Sequence, residues 1–419
     1  MAARAAFGVY GANVPALLRA AVATGWFGIQ TWVGGEAVGA LMQAAAEAVG
    51  MASVSAALAA PAPAVFAGIT CAEVMGFVAF WVLQVGVIVR GIESIKWLER
   101  LTAPVLIGLV GSLLLWAATA CGGLGAALGA TATMGLGSST GFWGVFWPAL
   151  TANVAFWATL SLNIPDFTRF AKSQRAQLAG QAMGLPLSMA ALSFVGVAAT
   201  GASVALFGHV VSDPVQLVRS VGGAGGAQCV ALVGLLIATL STNIAANVVS
   251  PAYALVAAAP RRLTFASAGL LTAFAGAVLQ PWRLVSSTQG FIFTWLIGSA
   301  ALLGPVAGVM IVDYWILRRR QLDVDSLYSL DTSAAYHYSN GYNIRAMMAL
   351  AVGAAPSMPG FLVAANLVPK AAVPSALLAP YDHAWALGFA MAAILYLGLT
   401  AAFPVRGGGQ RKAMLPVET

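Results

Sequence analysis

Charged side chains are scarce in this sequence, since Asp, Glu, Lys and Arg make up only 8% of its 419 residues. A soluble chain carries about 25% of such residues to cover its surface, so a soluble globular protein is excluded. Hydrophobic residues make up 60% of the chain, which also excludes a disordered protein. The surface of this protein must therefore face lipid.

Cysteine is almost as scarce, and the three that occur, Cys71, Cys121 and Cys229, are widely spaced and form no Cys-x-x-Cys pair. This spacing argues against a disulfide framework and against a metal site. The three histidines fall in predicted loops or at the ends of apolar runs, and no paired carboxylates lie within those runs. We therefore expect no enzyme active site and no bound cofactor.

Long apolar runs are what the sequence has in abundance. Ten of them have a length of about 20 residues, which a helix needs to cross a bilayer. They lie near 20–40, 72–91, 102–121, 142–163, 182–207, 229–255, 263–282, 291–316, 345–363 and 383–403. The pattern predicts an all-α multi-pass membrane protein with one transmembrane domain, residues 1–405. The tail 406–419 is rich in Gly and charge and is predicted to be disordered.

The basic residues lie almost entirely in alternate connections between these runs. One side of the predicted membrane receives seventeen Lys and Arg residues, and only Arg219, Arg283 and Lys370 fall on the other side. Because basic loops stay in the cytoplasm, this asymmetry predicts that both termini are cytoplasmic. The net charge of +7 is thus explained by topology, and we expect no nucleic-acid partner. A plasma membrane and an organellar envelope fit equally well.

Polar residues interrupt three of the apolar runs near their centres, at about the same predicted depth. Polar side chains in the middle of a span usually face a cavity or a partner, and convergence near the midplane is typical of a transporter binding site. The clusters comprise Trp26 and Gln30 in the first run, Asn153, Trp157 and Asn163 in the fourth, and Ser241, Thr242, Asn243 and Asn247 in the sixth.

Trp26 and Gln30 are separated by four positions, so they share one face of a helix. An indole beside a carboxamide can stack on a flat polar heterocycle and hydrogen-bond its edge. The alternative is that both side chains only pack between helices. Trp157 allows the same two interpretations. It precedes the sequence Asn-Ile-Pro at 163–165, where Pro165 is predicted to end or break the helix.

The positions of Ala238, Ser241 and Thr242 place them on one face of the sixth run. Two hydroxyls and a carbonyl freed by local distortion would be hard oxygen ligands, suited to a small cation such as sodium. Alternatively, the hydroxyls bond back to the preceding helical turn. Asn243 and Asn247 share another face, available to a substrate.

Glu36 is the one carboxylate well inside the first run, nearer its outer end. A buried unpaired carboxylate is costly in a membrane, so it is either a substrate or proton-coupling group or an acid that reaches water in an outer vestibule. The sequence leaves both alternatives open.

Several longer motifs resemble the nucleobase:cation symporter-1 family. They are "FGVYGANVPALLRAAVATGWFGIQTWVGG", "GIESIKWLE", "NIPDFTRFAKSQ", "STNIAANVVSPA", "PW" followed by "LGPVAGVMIVDYW", and "LDVDSLY". They occur in order between about residue 7 and about residue 345. The resemblance implies the inverted-repeat fold of the leucine-type sodium symporters. It also implies transport of nucleobases or related heterocycles such as allantoin and hydantoins.

The resemblance also implies roles for individual residues. Trp26 and Trp157 would cover the two faces of the substrate ring, while Gln30 and Asn247 would bond its edge. Ala238, through its carbonyl, Ser241 and Thr242 would form the cation site. The family has twelve helices and "GWFGIQ" matches the third, so we expect ten here and counterparts of the first two to be absent. A truncated gene model or an authentic short form would explain this.

The sequence therefore predicts secondary-active transport of a heterocycle such as uracil, cytosine, a purine or allantoin, coupled to Na⁺ or H⁺ by alternating access. The expected partners are this small molecule and the lipid bilayer. A second hypothesis is a non-transporting membrane protein, either a sensor or a remnant of the family. The sequence leaves open the choice of heterocycle, of coupling ion and of oligomeric state.

Overall fold

The computed structural model of the protein describes residues 3–63, 68–133, 141–168, 170–221, 226–287 and 289–404. Within these ranges the chain is helical, and β structure is limited to two isolated bridges, Pro61 with Thr70 and Ser339 with Tyr342. The predicted all-α class is confirmed. The tail 406–419, predicted to be disordered, lies outside the described residues.

Nineteen α-helices follow one another along the described chain. They are α1 (Ala3–Phe7), α2 (Asn13–Ala48), α3 (Ala52–Ala59), α4 (Cys71–Arg90), α5 (Ile92–Ala120), α6 (Leu124–Thr133), α7 (Gly141–Thr168), α8 (Gln174–Phe207), α9 (Pro214–Ser220), α10 (Gly226–Asn247), α11 (Val249–Ala258), α12 (Phe265–Val278), α13 (Pro281–Val285), α14 (Ile297–Ile311), α15 (Val324–Tyr328), α16 (Ile344–Ala354), α17 (Met358–Ala364), α18 (Ser375–Asp382) and α19 (Ala384–Ala402). Two π-helical segments, Gln289–Leu296 and Val312–Leu317, flank α14, and short 3₁₀ turns lie at Ala355–Ser357 and Lys370–Ala372.

Eight helical segments of the described chain are long and apolar enough to cross a membrane. They are Cys71–Arg90, Thr102–Ala120, Gly141–Pro165, Gln174–Phe207, Gly226–Ala258, Gln289–Leu317, Ile344–Ala364 and Ala384–Ala402. They correspond to eight of the ten predicted runs. The other two runs coincide with α2, whose 36 residues rise about 54 Å, and with the shorter α12. A total of ten spans therefore stays a prediction.

Helix α2 lies at the centre of the fold and packs against α4, α10, α11 and α12. Glycines let the backbones approach closely: a Cβ atom on Gly28 would collide with the carbonyl oxygen of Gly276 in α12, and one on Gly76 in α4 would collide with that of Gly35. Small residues at such contacts are typical of helix packing in membranes. A second layer forms where α14 packs against α7, α16 and α19.

Prolines lie near the ends of two long helices, and they affect the two helices differently. Helix α7 continues through Pro165 without a break and ends at Thr168. The predicted end therefore lies three residues beyond the proline. A proline this close to a helix end removes one hydrogen bond from the last turn, and the helix tolerates that loss. The α10–α11 segment, in contrast, is interrupted at Val248, three residues before Pro251.

Candidate functional site

The predicted edge-binding residues Gln30 and Asn247 come together where α2 meets α10. The Asn247 side chain is buried, and its Nδ2 donates to Gln30 Oε1 over 3.2 Å and to Asn243 Oδ1 over 2.9 Å. Gln30 is half-buried. Two carboxamides, far apart in sequence, thus form one polar pair inside the bundle.

The position of Asn247 follows from the interruption of its helix. Pro251 has no amide hydrogen and cannot donate to the carbonyl of Asn247, four residues earlier. Helix α10 ends at Asn247 and α11 starts at Val249. The Asn247 carboxamide therefore projects from a helix end, beside a break in the backbone ladder.

Trp26 lies one turn before Gln30 and is 6% exposed. Its ring centroid lies 5.0 Å from that of Phe156, 6.0 Å from that of Phe291 and 6.2 Å from that of Trp295, all edge-on. Its indole Nε1 is buried and has no hydrogen-bond partner among the described residues. Trp26 is therefore the centre of an aromatic cluster with an unused donor.

Trp157 lies on the other side of Phe156 and is half-buried. Its Nε1 donates to the Met189 sulfur over 3.0 Å, and its ring centroid lies 5.6 Å from that of Phe156. Phe156 thus contacts both predicted stacking tryptophans. Sequence reasoning missed Phe156, because a phenylalanine in an apolar span carries no polar signal.

The predicted cation ligands are brought together only in part. Ser241 and Thr242 both line a cavity of about 280 Å³, and Thr102 of α5 and Leu160 of α7 line the same cavity. Ala238 is buried within the regular part of α10. The distortion expected near Ala238 is not present, since the helix is interrupted only at Val248.

Glu36 is half-buried in α2, one turn beyond Trp32, whose side chain hydrogen-bonds it. Asp213 at the start of α9 and Glu73 at the start of α4 lie close enough to repel its charge. The two roles considered for Glu36, coupling group and vestibule acid, both stay predictions.

Three buried polar residues adjoin the amide pair, and sequence reasoning gave no role to two of them, Thr31 and Gln84. Gln84 Nε2 donates to Thr31 Oγ1 over 2.9 Å, and Asn243 Nδ2 donates to Gln84 Oε1 over 2.7 Å. All three side chains are fully buried. A signal for Gln84 existed, because a glutamine inside the apolar run 72–91 must find hydrogen-bond partners.

Comparison with known proteins places this geometry in a family. The sequence model of the family described as permease for cytosine/purines, uracil, thiamine, allantoin matches residues 1–388. The purine-uracil permease NCS1 of Arabidopsis thaliana is 43% identical over 394 residues, which are 94% of this chain and 63% of that protein. The allantoin permease of Bacillus subtilis is 36% identical over 409 residues, 96% of this chain and 77% of that protein. The chain thus spans less than two thirds of the Arabidopsis permease.

Solved structures of Mhp1 resemble the whole described fold. The closed conformation of this nucleobase-cation-symport-1 family transporter, with bromovinylhydantoin bound, has a TM-score of 0.67 and 26% identity over 98% of this chain and 81% of that one. The inward-facing conformation has a TM-score of 0.66 over 100% of this chain and 81% of that one. These matches confirm the predicted fold. The chain belongs to the family of permeases for cytosine/purines, uracil, thiamine and allantoin, the nucleobase:cation symporter-1 transporters.

Proposed function

We propose that the protein is a secondary-active transporter that carries a nucleobase or a related heterocycle across the membrane together with a cation. The observation that carries this proposal is the pairing of Gln30 and Asn247 between two helices of a membrane bundle. Amide groups supply both donors and acceptors, which the polar edge of a heterocycle requires. The names of the relatives, purine-uracil permease and allantoin permease, support the same substrate class.

In this proposal the substrate ring lies next to the amide pair, and the aromatic cluster provides its apolar surroundings. Trp26 and Trp157 supply faces for stacking, and Phe156 connects the two. The unused Trp26 Nε1 is an additional donor for an oxygen of the ring. The site lies on α2, which contacts α10 through the Gln30–Asn247 pair and α7 through Trp26 and Phe156. Relative movement of these helices would expose it alternately to each side.

The cation is proposed to bind at Ser241 and Thr242, two hydroxyl-bearing residues that line the cavity beside α5 and α7. These oxygens are hard ligands suited to Na⁺. Proton coupling is the alternative, and Glu36 is then the first candidate for the carrier. Both termini are proposed to lie on the cytoplasmic side, because the Lys and Arg residues concentrate in the corresponding connections.

Uptake by cells or proteoliposomes containing the protein tests this proposal. Labelled uracil, cytosine, adenine, hypoxanthine, hydantoin and allantoin would be offered under a sodium gradient, a pH gradient or neither. We expect uptake of at least one compound, driven by one of the gradients and abolished in Asn247→Ala. A matched control is Asn153→Ala, since Asn153 is exposed and bonds only the Ala149 carbonyl of its own helix.

The competing hypothesis is a protein that binds heterocycles without moving them. Saturable binding to the purified protein, without gradient-driven uptake of any of the six compounds, would support this sensor or remnant. The absence of both binding and uptake would overturn the proposed substrate class.

A further inference from the structure

A chain of hydrogen bonds leads from the backbone of α2 to the amide pair. It starts at the Phe27 carbonyl oxygen, which accepts from Thr31 Oγ1 over 2.6 Å and from Asn243 Nδ2 over 3.0 Å. Gln84 in α4 closes a ring with these two side chains, since it donates to Thr31 over 2.9 Å and accepts from Asn243 over 2.7 Å. Asn243 Nδ2 also lies 3.2 Å from Thr31 Oγ1.

The direction of every bond in this ring is fixed, because a backbone carbonyl can only accept. Thr31 uses its hydrogen on Phe27, so its lone pairs must accept from Gln84 Nε2. The oxygen of Gln84 then faces Asn243, which must present its nitrogen to it. Turning the Asn243 amide over would bring its oxygen against three oxygen atoms, so its orientation is unique.

The orientation of the Asn243 amide determines which atoms of Asn247 and Gln30 are free to bind a ligand. The Asn243 oxygen accepts from Asn247 Nδ2 over 2.9 Å, and the same nitrogen donates to Gln30 Oε1 over 3.2 Å. Both hydrogens of Asn247 are thereby used. The atoms left for a ligand are the Asn247 oxygen, an acceptor, and the Gln30 nitrogen, a donor.

We propose that Gln84 is a positioning residue which, together with the Phe27 carbonyl, holds the Asn243 amide in one orientation. With Asn243 held in this way, Asn247 accepts and Gln30 donates, so that the site selects rings carrying an N–H beside a C=O. This inference rests on the proposed function and names a chemical requirement within it. A ring without an N–H leaves the Asn247 oxygen unpaired in a desolvated site, and such a loss strongly disfavours binding.

Fully N-methylated rings test the requirement directly. Uptake of labelled uracil or hydantoin, whichever the protein carries, would be competed with the unlabelled compound and with its 1,3-dimethyl derivative. We expect the dimethyl derivative to compete at least about tenfold more weakly, as the loss of about one good hydrogen bond predicts. Equal competition by the two compounds would overturn the inference while leaving the proposed function intact.

Substitution of Gln84 tests its part in this selectivity. Gln84→Met has a similar length but neither donates nor accepts like an amide, and we expect the preference for the N–H form to fall below about threefold. Gln84→Glu keeps an oxygen towards Asn243 and should retain more of the preference. Thr272→Val is the control, because Thr272 is equally buried but bonds only the Ala268 carbonyl of its own helix.

The readout separates positioning from folding. If Gln84 only stabilised the bundle, Gln84→Met would lower the amount of folded protein or the uptake of every compound, and the ratio of the two competitors would keep its wild-type value. That result would overturn the role of Gln84. If Gln84→Met fails to reach the membrane, the preference measured in Gln84→Glu still tests the role of Gln84. Competition by the dimethyl derivative on the wild type still tests the requirement for an N–H. Failure of the wild type to bind or transport any heterocycle refutes the proposed function as well, which distinguishes that outcome from the others.

Discussion

Arg318 and Asp313 form an ion pair at the end of the span Gln289–Leu317, with 2.6 Å between Arg318 Nε and Asp313 Oδ2. The guanidinium also donates to the carbonyl of Ala5 over 2.8 Å. Asp313 is buried and accepts from the Tyr396 hydroxyl of α19 over 2.8 Å. One pair thus joins α1, the span Gln289–Leu317 and α19.

Removal of the cation from this pair should destabilise the fold. We expect Arg318→Gln to lower the free energy of unfolding by about 3–5 kcal/mol, because Asp313 would then be a buried charge without its partner. Thermal denaturation of the detergent-solubilised protein measures the effect. The double variant Asp313→Asn with Arg318→Gln should recover much of the loss, and Arg262→Gln, at an exposed arginine, should have almost none. Equal melting temperatures for Arg318→Gln and Arg262→Gln would contradict this prediction.

Close helix packing at Gly76 gives a second prediction. A Cβ atom there would collide with the Gly35 carbonyl oxygen and lie 2.7 Å from the Gly39 nitrogen, whereas at Gly86 the nearest atom is the end of Arg90 at 3.9 Å. We expect Gly76→Ala to cost about 1–3 kcal/mol through overpacking. Gly86→Ala in the same helix should be neutral or stabilising by about 0.5–1 kcal/mol, as alanine favours helix. The reverse order of melting temperatures would show that α4 and α2 can separate without cost.

Local patterns made most of the fold predictable. Length and hydropathy can be read from each segment alone, and they predicted ten apolar runs. The structure has helices at all ten and a membrane-compatible span at eight of them. Spacing within one helix also indicated Gln30 and Asn247 as binding residues. The family resemblance and the similar depth in the membrane predicted that both would bond one substrate, but not their direct hydrogen bond across 217 positions.

Features that depend on neighbouring helices could not be predicted in this way. The ring of Phe27, Thr31, Gln84 and Asn243 joins α2, α4 and α10, and no spacing within one helix reveals it. Helix α7 ends at Thr168 and not at Pro165, because one lost hydrogen bond in the last turn does not by itself stop a helix. The expected distortion near Ala238 lies instead at Val248, where Pro251 removes a donor.

The indole of Trp26 can be tested separately from its packing. Trp26→Ala would leave a large hole among three aromatic rings and should cost about 3–5 kcal/mol of stability. Trp26→Phe keeps a ring and removes a buried donor that has no partner among the described residues, so the fold should survive. We expect Trp26→Phe to reach the membrane in wild-type amount and to bind the transported heterocycle about tenfold more weakly, since stacking area and one donor are lost. Wild-type affinity in Trp26→Phe would assign Trp26 to packing alone.

The hydroxyls at the proposed cation site give the last prediction. Ser241 and Thr242 line the same cavity, and Thr242→Val preserves the shape of its side chain while removing the oxygen. With Ser241→Ala added, we expect the sodium concentration for half-maximal uptake to rise about tenfold or more, because each lost ligand weakens cation binding. Substrate affinity at saturating sodium should stay near its wild-type value, since the amide pair is untouched. The matched control is Ser112→Ala, because the exposed Ser112 hydroxyl bonds only the Leu109 carbonyl of α5. Ser203→Ala is unsuitable, since the Ser203 hydroxyl accepts from the Val211 amide. Uptake that follows the pH gradient and ignores sodium, in the wild type and the double variant alike, would exclude sodium at this site and direct attention to Glu36.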